Sequence, residues 1–222
     1  FYAIVAGIRG DFETAAIAIF IAMIMDGLDG RIARMTNTQS AFGAEYDSLA
    51  DMVSFGMVPA LVIFQWSLTD MGKFGWMVAF IYAACGALRL ARFNTQIGTQ
   101  DKRYFQGLPS PAAAAIIAGW VWAGTSNDFS ESMIAIFTIP ITFGAAILMV
   151  SSMRYHSFKE LDLRNRVPFV VMLVLVLIFA LVAIDPPTIL FSVFLIYGLS
   201  GPVFTLLKLR QHRSERAQAK EY

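Results

Sequence analysis

The chain alternates long apolar runs with short polar breaks, a pattern that predicts a bundle of membrane-length helices. Phe1 to Ile8 reads as the tail of a first helix, ended by Arg9, Gly10 and Asp11. A second helix is predicted from about Phe12 to Met35 and a third from about Ala41 to Trp66, with the polar linker Thr36 to Ser40 between them. A loop at Ser67 to Lys73 leads to a fourth helix, about Phe74 to Asn94, and then to a charged loop from Thr95 to Gly107. Pro109 and Pro111 open a fifth, running to about Gly124, because first-turn N–H groups have no helical partner to lose. The sixth spans about Phe129 to Met153 with a kink at Pro140. A polar loop from Arg154 to Arg166 precedes the seventh, about Val167 to Ile184. Asp185, Pro186 and Pro187 break the chain before an eighth, about Thr188 to Leu207, and a basic tail follows from Lys208 to Tyr222. Phe1 is not Met and lies inside an apolar run, so residues ahead of it are expected to complete the first helix.

Composition sharpens this picture. The chain is 57% hydrophobic, against about 45–50% for a soluble domain, and its mean hydropathy is +0.62. Cys85 is the single cysteine, which excludes a disulfide framework and a cysteine metal site; it is expected to pack as a small buried residue. Taking alternate loops as one side of a membrane puts 15 of the 17 Lys and Arg on the same side, and leaves Arg9 and Lys73 opposite. Positive charge marks the cytoplasmic side. The expected fold is therefore an all-α polytopic protein of the cell (inner) membrane with about eight helices in one bundle. The basic tail is expected to meet anionic membrane lipids and not nucleic acid.

The polar residues between the second and third helices carry the chemistry. Asp26, Asp29, Gly30, Ala33 and Arg34 share one helical face, and Gly43, Asp47 and Asp51 share another. The short linker makes the two helices antiparallel neighbours, so both faces meet at the cytoplasmic end. Four carboxylates at the mouth of apolar helices repel one another unless a cation sits among them. Oxygen ligands without His or Cys favour Mg²⁺ or Mn²⁺, with Ca²⁺ a third candidate, over zinc. Two such ions about 4 Å apart clamp a phosphoryl group undergoing in-line displacement. Gly30, Ala33 and Gly43 leave room for a backbone or flat ligand to approach. Arg34 is placed to hold phosphate oxygens; Arg31 suits the same role or a lipid headgroup.

The pattern D-x-x-D-G-x-x-A-R, eight residues, G-x-x-x-D-x-x-x-D resembles the signature of the CDP-alcohol phosphotransferase family, and this chain fills every fixed position. The resemblance implies a six-helix membrane core, here with two extra C-terminal helices, usually dimeric, with a dinuclear metal site. It implies a catalytic part in residues 1–153, with the motif at 26–51. Residues 154–222 would then supply a cytoplasmic loop, two further spans and the tail. It implies a reaction in which an alcohol displaces CMP from a CDP-linked donor. By that resemblance Asp26, Asp29 and Asp47 are metal ligands. Asp51 is the general base and a further metal contact, and Asp29, Gly30, Ala33, Arg34 and Gly43 line the CDP site. Asp51 lies one turn deeper than Asp47 on the same face, which suits a base waiting for a hydroxyl at headgroup depth.

The acceptor is read from a second stretch. Arg89, Arg92 and Asn94 end the fourth helix, and Arg103 follows in the loop before Phe105, Gly107, Leu108, Pro109 and Pro111. The arginines suit either a positive cytoplasmic cap or an anion site. Taken together, the two segments resemble the branch of the family that uses CDP-diacylglycerol and L-serine, whose carboxylate gives an arginine a reason to be there. The resemblance makes Arg89, Arg92, Asn94 and Arg103 candidates for the acceptor or for donor phosphates. Glycerol 3-phosphate or inositol as acceptor is the sister reading. An ion-coupled transporter is the reading from another class, and it would place its acids near the bilayer midplane. His156 is expected to be a solvated loop residue. Glu45 and Tyr46 are expected off the metal face, in packing or solvent. Trp66, Trp76, Trp120 and Trp122 are expected to be interfacial anchors.

Overall fold

The structure is a computed structural model that describes residues 1–36, 38, 40–95, 104–156 and 169–218. Helix α1 (Tyr2–Ile8) leads into α2 (Phe12–Met35), capped by Asp11 through a 3.2 Å bond from the Thr14 amide. Ser40 caps α3 (Ala41–Asp51) by accepting from the Gly43 amide at 3.0 Å. The predicted third helix is not one regular helix. It passes from α3 through a π-helical segment, Met52–Met57, into α4 (Val58–Ile63) and a second π segment, Phe64–Leu68. Such insertions widen the turn and re-aim the residues on either side, and they concentrate at functional sites. A 3₁₀ turn at Thr69–Met71 and a positive φ of 55° at Gly72 reverse the chain into α5 (Gly72–Thr95), which packs back along this composite helix.

The reversal brings Gly86 of α5 against Gly56, where a Cβ would sit 3.4 Å from the Gly56 Cα. Small residues at a crossing let two backbones approach. One turn beyond that crossing on each limb lie Arg89 and Asp51, so the Gly86–Gly56 contact sets how close these two come. Tyr82 closes the same crossing by donating to the Phe55 carbonyl at 3.1 Å.

Helix α6 (Ser110–Ser126) is the axis of the bundle. Pro109 precedes it and Pro111 lies in its first turn, as the sequence predicts. All residues from Ala112 to Val121 are buried, because alanines and a glycine let neighbours crowd in on every side. Trp120 is buried, not an interfacial anchor: its indole donates to Thr138 of α7 (Glu131–Val150) at 2.9 Å. Trp76 is 60% exposed, as an anchor would be. Cys85 is half-buried.

Two of the predicted polar loops hold short strands. Residues Tyr104–Gln106 (β1) pair antiparallel with Arg154–His156 (β2), in the register Phe105 opposite Tyr155. Gly107, at φ +75°, turns β1 into α6 where its amide meets the Met153 carbonyl at 2.8 Å. Tyr155 is buried and donates to the carbonyl of Gly198 in the last helix at 2.8 Å. The pairing thus ties the ends of α5, α6 and α7 to the C-terminal region.

Helix α8 (Phe169–Ile184) ends at Asp185, which caps α9 (Pro186–Gln218) through the Thr188 amide at 3.3 Å. The predicted tail is not wholly irregular, since α9 continues through it to Gln218. Three helical stretches are long and apolar enough to cross a membrane: Ala41–Thr95, Glu131–Val150 and Pro186–Leu207. Helices α6 and α8 are shorter, at 17 and 16 residues, and α2 carries its aspartates and arginines in its last third. Exposed apolar side chains such as Ile136, Phe143, Val176 and Phe179 give the bundle an outer surface suited to lipid.

Candidate metal and phosphate site

Helices α2 and α3 present their aspartates in antiparallel register, so the acids meet in two layers. The deeper layer is Asp26 with Asp51, whose carboxylates lie within hydrogen-bonding reach of each other. The outer layer is Asp29 with Asp47, which act on each other electrostatically. Asp26, Asp47 and Asp51 each offer a carboxylate oxygen, all within 4.8 Å of one another. Asp26 and Asp51 are half-buried and Asp47 is exposed. Asp29, also exposed, stands outside that triad.

Three crowded carboxylates are a high-energy arrangement in the absence of a cation. The Oδ1 atom of Asp51 is buried with no hydrogen-bond partner among the described residues, and an orphaned carboxylate oxygen is costly. Both observations fit a divalent metal ion, and an all-oxygen donor set fits Mg²⁺, Mn²⁺ or Ca²⁺. The carboxylates converge in the way the sequence spacing predicts for Asp26, Asp47 and Asp51.

Beside the triad opens a cavity of about 500 Å³, lined by Asp29, Gly30, Ala33, Gly43 and Asp47 among others. That volume lies in the range of small-molecule sites. Four residues expected at a nucleotide slot, Asp29, Gly30, Ala33 and Gly43, share this wall, and their small side chains make the space. Arg34 occupies the next turn of α2 beyond Gly30; its side chain lies outside the described part of the structure. Tyr46 also lines the cavity and stacks on Phe42 with ring centroids 6.2 Å apart, so it is not off the site. The signal was available: Gly43, Tyr46, Asp47 and Ala50 fall at i, i+3, i+4 and i+7.

The end of α5 reaches the site from the other side. Asn94 donates to Ser48 Oγ at 3.0 Å, and Ser48 lies between Asp47 and Asp51 in sequence, so the pair fixes the rotation of α3. Sequence reading missed Ser48, which has no pattern of its own. Arg92 donates to three backbone carbonyls: Val150 at 3.1 Å, Ser151 at 2.9 Å and Gln106 at 3.4 Å. It thereby caps the carbonyl end of α7 and holds β1. Arg89 is buried, donates to Ser110 Oγ at the start of α6, and lies within electrostatic range of Asp51. Arg103 lies outside the described residues.

Comparisons with known proteins agree with this site. Residues 1–148 match the sequence model of a family described as CDP-alcohol phosphatidyltransferase. The chain is 34% identical over 206 residues to a CDP-diacylglycerol–serine O-phosphatidyltransferase of Helicobacter pylori, covering 93% of this chain and 86% of that one. A protein of the same name from Mycobacterium tuberculosis is 46% identical over 112 residues, 48% of this chain and 39% of the relative. An archaetidylserine synthase of Methanothermobacter thermautotrophicus is 34% identical over 157 residues, covering 70% and 63%.

Proposed function

This chain belongs to the CDP-alcohol phosphatidyltransferase family, and we propose that it transfers the phosphatidyl group of CDP-diacylglycerol to the hydroxyl of L-serine, releasing CMP. The observation that carries the reading is the convergence of Asp26, Asp47 and Asp51 beside a cavity walled by Gly30, Ala33 and Gly43. The names of the relatives that span most of the chain supply serine as the acceptor.

In this reading Asp26, Asp29 and Asp47 hold divalent metal, and Asp51 both contacts it and accepts the serine hydroxyl proton. Bound Mg²⁺ or Mn²⁺ supplies positive charge against the donor diphosphate and the charge that grows on CMP as it leaves. The slot of Asp29, Gly30, Ala33, Arg34 and Gly43 orients the CDP group, and the Ser48–Asn94 pair holds α3 at the rotation that aims Asp47 and Asp51. The serine oxygen forms its bond to the phosphorus next to diacylglycerol. The bond from that phosphorus to the bridging oxygen breaks, and CMP departs with that oxygen. Arg89, Arg92, Asn94 and Arg103 remain the candidates for the acceptor and the donor phosphates.

The same reading sets eight spans in the inner membrane, with residues 1–153 as the catalytic part and 154–222 as a cytoplasmic loop, two spans and a tail. It carries a homodimer and an active site at the cytoplasmic face, where the basic loops lie. Purified protein supplied with CDP-diacylglycerol and a panel of serine, glycerol 3-phosphate and inositol tests it. Turnover with serine is expected; turnover confined to another alcohol would move the chain to a sister activity.

A further inference from the structure

Arg89 is more than nine-tenths buried, at 8% exposure, yet its Nε has no hydrogen-bond partner among the described residues. A buried guanidinium with an unused donor is costly unless an anion meets it. The protein anion that acts on it is Asp51, and Asp51 keeps its own buried Oδ1 without a partner. The two lie within electrostatic range, and neither satisfies the other. A ligand that donates a proton to one and an anion to the other would complete both.

Two residues from other helices bear on Arg89. Its Nη1 donates to Ser110 Oγ in the first turn of α6. Tyr197 of α9 lies within electrostatic reach of the guanidinium. The Tyr197 ring is 5.6 Å from that of Tyr155, whose hydroxyl is bonded to Gly198, so the β1–β2 pairing fixes this part of α9. Arg92 is occupied with backbone carbonyls and is the lesser candidate for a ligand.

We propose that Arg89 receives the carboxylate of the acceptor while Asp51 receives its hydroxyl, and that Ser110 and Tyr197 are the positioning residues that aim the guanidinium. This rests on the reading of serine as acceptor. In serine the hydroxyl and the carboxylate sit on adjacent carbons, so one small molecule spans a base and a nearby cation. An alcohol without the acid group leaves the Arg89 Nε unpaired, and a site with an unpaired buried donor rejects such a molecule strongly. The proposal makes α9 part of the acceptor site, although it lies beyond the family-matched residues 1–148. Selection of the acceptor is then shared between the catalytic part and the C-terminal helix.

The test is steady-state kinetics of the full chain with CDP-diacylglycerol, comparing L-serine with ethanolamine, which is serine without its carboxylate. For Tyr197→Phe the expected result is a serine KM raised about tenfold with the donor KM within about twofold of wild type, the loss of one polar contact to a charged group. For Arg89→Gln the expected result is a serine KM raised about 100-fold, with the preference for serine over ethanolamine falling by a similar factor. An unchanged donor KM in both variants separates this outcome from misfolding. A raised donor KM with an unchanged serine KM would assign Arg89 to a donor phosphate and overturn the proposal. An unchanged serine KM in Tyr197→Phe would overturn the role of α9. Failure of the wild type to use serine would instead sink the acceptor reading on which the proposal stands.

Discussion

The hydroxyl of Tyr155 donates to the carbonyl of Gly198 at 2.8 Å, and that carbonyl has no helical partner because the residue four places on is Pro202. A proline inside α9 would leave a buried acceptor orphaned; a tyrosine from β2 fills the vacancy. Gly201 completes the arrangement, since the Tyr155 ring occupies the space a Cβ would need. Three residues of α9 and one of β2 therefore form a joint between the C-terminal helix and the catalytic part.

Tyr155→Phe should lower stability by about 1–3 kcal/mol, because the Gly198 carbonyl is left buried and unpaired. Burial pushes the Tyr155 phenol above its ordinary range. A raised phenol pKa gives stability that is complete below the unfolded value and lost as pH rises through the folded one. The gap between wild type and variant should then be constant from neutral pH up to about 10 and change only above it. Thermal unfolding in detergent, followed by circular dichroism across that pH range, checks both statements.

Gly107→Ala should be as damaging as a core truncation. At φ +75° any L side chain is strained, and a Cβ there would run into the Met149 carbonyl. The expected cost is about 1–3 kcal/mol from backbone strain alone, read as a lowered unfolding midpoint with the same substrate KM in the fraction that remains folded.

How much of this was legible in the sequence differs from element to element. The meeting of Asp26, Asp47 and Asp51 was legible because local spacing on two adjacent helices sufficed, with a short linker to bring them together. The π segment at Met52–Met57 was not, because its apolar residues read equally well as a regular helix; it depends on α5 packing back on it through Gly86. The β1–β2 pairing joins residues some fifty positions apart in loops that read only as polar. Arg92 illustrates the same limit. Its charge suggested an anion site, while its neighbours Val150, Ser151 and Gln106 are brought to it by tertiary folding.

Asn94→Leu should slow turnover without abolishing it. The substitution removes both bonds between Asn94 and Ser48 and frees α3 to rotate beside Asp47. Misplacing catalytic groups by a fraction of a helical turn costs on the order of 10–100-fold in kcat. Ser48→Ala should fall in the same range, and the double variant should be no worse than either single one, because the two share one interaction. Steady-state kinetics on the three variants checks this.

Asp51→Asn should reduce kcat by about 100-fold or more, since the amide cannot take the hydroxyl proton. The donor should still bind, because the slot walled by Gly30, Ala33 and Gly43 is untouched. Equilibrium binding of labelled CDP-diacylglycerol to the variant, set beside its turnover, separates loss of chemistry from loss of binding.

The most direct measurement of the central claim is CMP release by the chelator-treated, purified protein, given CDP-diacylglycerol and L-serine and then titrated with Mg²⁺ or Mn²⁺. Metal held by Asp26, Asp29, Asp47 and Asp51 predicts no product before the ion is added. CMP and phosphatidylserine should then appear in equal amounts as it is. CMP release undiminished by chelation, or release without phosphatidylserine, would contradict the account.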